Sequence, residues 1–421
     1  MQSKKKLVVV GGGFAGLHLV RSIDKKKFDV FLIDKLNHHQ FQPLFYQVAT
    51  SQLEPSSISF PFRNVFRNEK SVHVRLGELE EVMPDQNLIK TSIGDFPYDY
   101  LVLALGCRTN FFGKQEIEEK AFSLKTTYDA IAIRNHILLT FEKCSYASEA
   151  EKEKLLNLVI VGAGPTGVEL AGAFAEIKKF ILPRDYPGID FSKFTVYLIE
   201  GGSAPLGSMS ENAQKASADY LKRMGINLIT GAYVEDYNGE ILKLNNGETI
   251  KTATVIWSAG VTGNRVSGFP DPVYAPGNRI RVDRFSRVLG FENIFAVGDI
   301  AFMETPEYPR AHPQVANVAI NQAKRLAKNF NKGLSPEVWT EFEYKDLGSM
   351  ATIGKNKAVV DFPRWKFKGY FAWLIWMFLH LMLILSVKNK LIIFINWAWA
   401  YMTKDSSLRL ILKPGGKKNG K

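Results

Sequence analysis

Two carboxylates, Asp34 and Glu200, each close a short apolar run, Val30-Phe31-Leu32-Ile33 and Val196-Tyr197-Leu198-Ile199, and each follows a glycine-rich turn. A carboxylate so placed accepts hydrogen bonds from an adenosine ribose, while the turn lays backbone N–H groups and a helix N-terminus against a pyrophosphate. In the first turn, Gly11 permits the tight bend, Gly13 admits the phosphates and Gly16 lets helix and strand pack closely. The second turn repeats the pattern as Gly162-Ala163-Gly164-Pro165-Thr166-Gly167. Two fingerprints imply two dinucleotides: FAD, which needs a lasting seat, on the N-terminal one, and NADH, which comes and goes, on the internal one. No Arg immediately follows Glu200 to receive a 2′-phosphate, which favours NADH over NADPH.

Other residues could add chemistry. Glu169 falls in the expected first turn of the helix after the second fingerprint, where it either complements the helix dipole or relays a proton between the two nucleotides. Asp299 ends the apolar run from Asn293 and could cap the next turn or meet a ribityl hydroxyl. A helix is expected from Pro313 through Asn329, its first turn, Gln314 and Val315, aiming N–H groups at a flavin pyrimidine. The aromatic, Gln-rich stretch His39 to Thr50, with Gln47 in it, suits the wall of a flat ring system.

The composition narrows the classes. Cys107 and Cys144 form no Cys-x-x-Cys, and the histidines show no metal spacing, which argues against a dithiol relay and against a metal site. The adjacent His38 and His39 read as ordinary polar positions. Ten of the twelve net positive charges lie from Pro363 onward, in the most apolar part of the chain, so they point to an anionic membrane surface and not to nucleic acid. The short lysine-rich stretch before the first strand leaves no room for a signal peptide in this sequence.

The elements that must position these residues are strand–turn–helix units of an α/β protein. Strands are expected within residues 72–103, and a polar, helix-favouring linker between Phe111 and Leu156. Residues 178–193 read as an aromatic insertion, and Thr254 to Trp257 as the strand that closes the second nucleotide domain. The expected domains are 1–115 and 265–345 for FAD, 116–264 for NADH, and a C-terminal region, 346–421. In the tail, Gly369 to Val387 is a nineteen-residue apolar run, about 28 Å long as a helix and close to one bilayer core. Lysines and arginines flank both ends, and the next apolar run, Leu391 to Met402, is too short to return across the bilayer. Two helices lying in one leaflet, with Trp365, Trp373, Trp376, Trp397 and Trp399 at the interface, account for both features.

In order along the chain, the glycine turns, Phe41 to Thr50, Leu103-Ala104-Leu105-Gly106, Thr109 to Gly113, Trp257 to Val261, Ala296-Val297-Gly298-Asp299, Leu347 to Gly354 and the Trp-rich tail together resemble the type II NADH:quinone oxidoreductases. The resemblance implies a glutathione-reductase-like flavoprotein of two Rossmann-like domains, monotopic on the cytoplasmic face of a bacterial inner membrane. It implies non-covalent FAD near Phe14, Ala15, Lys35, Gln47, Leu79, Ala104, Gly106, Gly298, Asp299, Gln314 and Val315. NADH is placed against the second turn, Glu169, Glu200, Ala259 and Gly260. A membrane quinone, menaquinone or ubiquinone, is placed near Gln314, Ile353 and Gly354, and a homodimer is among the assemblies allowed. The family's Ala-Gln-x-Ala-x-Gln pattern falls on Pro313 to Val318, where Gln314 matches and the second amide is replaced by Val318. Glu169 and Gln314 are the implied catalytic pair. Two other readings stay open. A sulfide:quinone oxidoreductase would need redox cysteines beside the flavin, and a nucleotide-sensing membrane scaffold would bind both ligands without electron flow.

Overall fold

The computed structural model describes residues 4–405 and 408–412, which leaves the lysines at 413, 417, 418 and 421, expected at the lipid surface, outside the described residues. The chain forms two compact units, one of residues 1–40, 59–108 and 261–345 and the other of 41–58, 109–260 and 346–421.

The first unit is built on a parallel sheet in the order Ile294–Ala296, Tyr100–Leu103, Lys5–Val10, Phe28–Asp34, Val72–Leu76. Strands with both faces covered read as unbroken apolar runs, and Leu7, Val8 and Val9 are fully buried. The Phe14–Ser22 helix packs beside the Ala316–Lys332 helix, with Gly298 wedged between Ala15 and Ala319. The latter helix starts at Ala316 and not at the expected Pro313, because the Val315 N–H closes a tight turn onto the Pro313 carbonyl at 3.0 Å and Val315 itself is the extended N-cap. Asp299 lies in a short 3-10 turn, Gly298–Ile300, beyond its strand.

The second unit repeats the parallel sheet in the order Phe122–Ser123, Thr254–Trp257, Asn157–Val161, Thr195–Glu200, Asn227–Thr230. Thr254–Trp257 is therefore an interior strand with Phe122–Ser123 at the edge. Within the expected helix-favouring linker stands an 18-residue helix, Thr127–Cys144, half of it buried, opened by a capping box between Thr126 and Asp129. Ala130, Ile133, Ile137, Phe141 and Cys144 form its inward stripe. The expected insertion also joins the core: the Pro165–Phe180 helix runs three residues into it, and Phe191, with Phe194 just beyond, packs edge-on to Phe141.

At the C-terminus a three-stranded antiparallel sheet, Ser349–Gly354, Lys357–Asp361 and Lys366–Lys368, precedes two helices, Tyr370–Leu383 and Val387–Thr403. The apolar run from Gly369 thus breaks at Ile384, which is extended, and among the described residues no helix is long and apolar enough to cross a membrane. The five tryptophans also divide: Trp365 and Trp399 are exposed, Trp373 is half-buried, and Trp376 and Trp397 turn into the unit. Aromatic rings on an apolar helix prefer a packed pocket over a free surface, and for Trp397 the interior also supplies a polar partner in Gln47.

Candidate functional site

In the first unit the Gly11 N–H donates to the Ile33 carbonyl at 2.8 Å and the Gly12 N–H to Asp34 Oδ2 at 2.5 Å. The other Asp34 oxygen accepts from the Leu36 N–H at 2.7 Å. Burial pushes the Asp34 pKa up, and these two donors oppose that shift. A Cβ on Gly16 would stand 1.8 Å from the Gly11 carbonyl oxygen, and one on Gly11, whose φ is +99°, would stand 2.3 Å from the Ala104 oxygen. Beside Gly13, by contrast, there is open space. A cavity of about 350 Å³ brings Gly11, Asp34, Lys35 and Leu79 together, with Arg108 on its rim. This cradle, closed by glycine on two sides and open on the third, fits the pyrophosphate and ribose of a dinucleotide.

His39, expected to be an ordinary polar position, is buried. Its Nδ1–H donates to the Gly12 carbonyl at 3.0 Å, its ring meets Phe14 edge-on, and burial lowers its pKa to about 4, so it is neutral at physiological pH. Farther along, Cys107 Sγ donates to Asp299 Oδ2 at 3.0 Å and Gln314 Nε2 donates to the Asp299 carbonyl at 3.0 Å. Arg279 is buried nearby, with its Nη2 on the Ala301 and His312 carbonyls and its Nε without a partner. Gly106 takes a positive φ of 65°, and Val315 is exposed.

The second unit repeats the first turn nearly bond for bond. Gly162 N–H donates to the Ile199 carbonyl at 2.7 Å, Ala163 N–H to Glu200 Oε2 at 2.7 Å, and Gly202 N–H to Glu200 Oε1 at 2.8 Å. A Cβ on Gly167 would stand 1.9 Å from the Gly162 oxygen, while Gly164 faces open space. Gly162 lies against Ala259, and Gly260 has Phe112 and Asn110 as neighbours. Pro165 and Thr166 are exposed at the head of the helix.

Because that helix starts at Pro165, Glu169 sits in its second turn, buried and past the reach of the first-turn N–H groups. Its Oε1 faces the Thr352 N–H at 3.4 Å. Burial raises its pKa to about 8; the Thr352 N–H opposes the rise, as does the Trp376 indole N–H, which is buried without a hydrogen-bond partner of its own. Glu169 lines an inner cavity of about 100 Å³ with Tyr46, Gln47, Thr352, Gly354, Trp376 and Trp397. Gln47 ties this wall together, donating from Nε2 to Tyr46 Oη at 2.9 Å and accepting at Oε1 from Trp397 Nε1 at 2.8 Å. His380 stacks on Trp376 with ring centres 4.0 Å apart, and burial lowers its pKa to about 4. The helix meets the Ser349–Gly354 strand through Gly172, where a Cβ would stand 1.9 Å from the Ile353 oxygen. Among the described residues no group of acidic, His and Cys side chains could hold a metal ion.

The pyridine nucleotide-disulphide oxidoreductase family model matches residues 5–323, and the NDH2 C-terminal domain matches residues 347–404. The type II NADH:quinone oxidoreductase Ndh of Mycobacterium tuberculosis is 34% identical over 420 residues, covering 95% of this chain and 89% of that protein. The chain belongs to the type II NADH:quinone oxidoreductases. The type II fold extends to NDH2 of Plasmodium falciparum, solved in complex with NADH, which aligns with a TM-score of 0.90 at 24% identity over 98% of this chain and all of that one. The sulfide:quinone oxidoreductase of Aquifex aeolicus aligns with a TM-score of 0.73 at 19% identity over 95% of this chain and 96% of that one, a likeness of fold. In this type II chain neither cysteine is joined in a disulfide; Cys144 is buried on its helix, and Cys107 is hydrogen-bonded to Asp299.

Trp376, Trp397, Tyr46 and Thr352 are site residues that the sequence reading did not assign to the wall around Glu169. The signal available was the density of tryptophan in the tail, which composition alone could not divide into inward and outward rings.

Proposed function

We propose that this protein oxidises NADH and reduces a membrane quinone, with non-covalently held FAD as its resident redox group. When bound, FAD accepts the reducing equivalents of NADH and passes two electrons onward. In the first unit, Gly11, Gly13 and Gly16 receive its pyrophosphate, Asp34 its ribose, and Lys35 and Leu79 flank the adenosine end. Phe14, Ala15, Ala104, Gly106, Gly298, Asp299, Gln314 and Val315 complete the assignment. NADH takes the second turn, with Glu200 holding the ribose hydroxyls and Ala259 and Gly260 beside it.

The observation that carries the quinone reading is the Glu169 carboxyl, buried under the tail indoles. Forming a quinol takes up protons, and with a pKa of about 8 roughly nine in ten Glu169 side chains hold one at pH 7. Gly354 lines the same cavity and Ile353 precedes it on the strand; Gln314 is the further residue assigned to the quinone. Glu169→Gln and Gln314→Ala should slow quinone-dependent flavin reoxidation while leaving anaerobic reduction by NADH within a few-fold. Loss of the reductive step with normal reoxidation would overturn the assignment. Absence of bleaching near 450 nm on adding NADH would favour a scaffold, and reduction of quinone by sulfide but not NADH would favour the cysteine-dependent reading.

The tail is the membrane contact. Phe371, Phe378, Phe394, Ile395 and Trp399 are exposed on its two helices, and Lys388, Lys390 and Lys404 accompany them, a combination that suits an anionic leaflet. The attachment is monotopic on the cytoplasmic face. Protease on the outside of sealed inverted vesicles should therefore reach tags at both chain ends; protection of the C-terminal tag until detergent is added would refute it.

A further inference from the structure

A second cavity in the second unit, of about 600 Å³, is used by none of the chemistry above. It lies at the far end of the Pro165–Phe180 helix, bounded by the Gly354–Lys357 turn and by Ala400 and Tyr401 of the last helix. Its floor is apolar, with Ala175, Ile177 and Ile181 buried. Its rim carries Lys179, Arg223, Lys355 and Lys404.

Little of this positive charge is compensated from within: Lys355 and Lys357 share the attraction of Glu176. Among the described residues none of these four forms an ion pair. Lys179 and Lys404 stand over the Phe180 ring at 5.3 and 5.2 Å, and Lys355 over Tyr401 at 3.7 Å. A ring face directs an ammonium but leaves its charge in place. The two acids of the lining are otherwise engaged. Asp405 pairs with Arg409 at 2.7 Å; Glu176 accepts the Lys355 backbone N–H and is pushed toward its neutral form by burial. The rim also contains Asn356 Oδ1, a buried acceptor without a hydrogen-bond donor. Lys404, the C-cap of the last helix, adopts the left-handed region at φ +55°, where glycine is usual, so its charge is kept at a position that disfavours a lysine backbone.

We propose that this cavity seats the headgroup of an anionic phospholipid. The phosphate would meet the lysines and Arg223, a headgroup hydroxyl would donate to Asn356 Oδ1, and the first methylenes would lie on the apolar floor. A lipid fits better than a soluble phosphate because the floor is apolar and the cavity wall belongs to the same helix that exposes Ile395 and Trp399. The volume lies in the range of small-molecule sites, about 300–1,000 Å³. The inference rests on the reading of the tail as the membrane contact.

The test uses the full chain in neutral detergent, titrated with short-chain phosphatidylglycerol under native mass spectrometry, and flotation with phosphatidylcholine vesicles with and without phosphatidylglycerol. One variant pair removes cavity charge, Lys179→Gln with Lys404→Gly, the latter also relieving the left-handed strain and so keeping the fold. A control pair, Lys366→Gln with Lys368→Gln, removes the same charge at exposed positions outside the cavity. The expected result is one saturable phosphatidylglycerol per chain, weakened at least tenfold in the cavity pair and unchanged in the control pair, with inorganic phosphate unable to displace it. Equal weakening in both pairs would reduce the effect to surface charge and overturn the proposal, as would displacement by inorganic phosphate, which would mark a free-anion site. Flotation of the cavity pair with loss of the single adduct supports the site; failure of the unmodified chain to float with either vesicle would refute the membrane reading beneath it.

Discussion

Replacing Glu169 by Gln should make the protein more stable, and increasingly so as the solution becomes alkaline. Burial moves this carboxyl from 4.5 to about 8, a shift of about 3.5 pH units at 1.36 kcal/mol each, so the ionised form costs the folded state up to about 5 kcal/mol. The sign follows from which state binds the proton. Below pH 4.5 both folded and unfolded chains are protonated and nothing is lost; between 4.5 and about 8 the unfolded chain ionises while the folded one does not, and stability falls; above about 8 the loss is constant. At pH 7 it is about 3 kcal/mol. Gln is isosteric, keeps an oxygen for the Thr352 N–H and carries no charge, so it escapes the whole term. For a unit of this size about 2 °C accompanies each kcal/mol. Thermal unfolding of the flavin-loaded proteins should then agree near pH 4, and the variant should lie roughly 10 °C higher near pH 9. Parallel curves across that range would mean that Glu169 is solvated in the folded chain, and the argument for a protonated acid under the tail would fail with it.

Three further outcomes are expected. Glu200→Gln should raise the NADPH-to-NADH ratio of kcat/KM about tenfold by relieving repulsion of a 2′-phosphate, at some cost in absolute rate because one of the Ala163 and Gly202 donors then faces an amide N–H; equal kcat/KM for both nucleotides in the unmodified protein would refute it. Gly16→Ala and Gly167→Ala both place a Cβ within 2 Å of a turn carbonyl, so the first should purify without flavin colour, whereas the second should keep its flavin and lose reduction by NADH; colour retained in the first would contradict the assignment of the two turns. Phe371→Ser, Phe378→Ser and Trp399→Ser together should leave vesicle binding dependent on charge and released by high salt, whereas Trp376→Phe should not change it, since that ring is only 1% exposed; salt-resistant binding of the triple variant would show that these rings are not the apolar contact.

The nucleotide turns were legible because their glycines answer to hard steric limits that any chain must obey, and the acids that end the next strands fall where a parallel register puts them. The helical tendency of Thr127–Cys144 was legible but its burial was not, because Asp129, Arg134 and Lys143 give its stretch a polar average although residues at 130, 133, 137, 141 and 144 keep a helical stripe; the period held the information that the average hid. The tail divides similarly. After Gly369 its apolar run contains no Gly or Pro to mark the break at Ile384, and a tryptophan that lines a cavity has the same letter as one that stands exposed. Nor could local pattern reveal that Gln47 would bond a tail indole, since that contact depends on how distant segments meet in the second unit.

That bond has a consequence for how the protein is made. Gln47 and Trp397 are separated by 350 positions, so at a synthesis rate of about 5–20 residues per second the glutamine waits roughly 20–70 seconds for its partner. Throughout that interval the nascent chain has its glycine turns but no lid over Glu169, and the last helix to leave the ribosome is also the one that carries exposed Trp399. Enclosure of the acid therefore falls at the end of synthesis, and a ribosome stalled before the final helix would carry a chain whose glycine turns are complete but whose Gln47 has no indole partner.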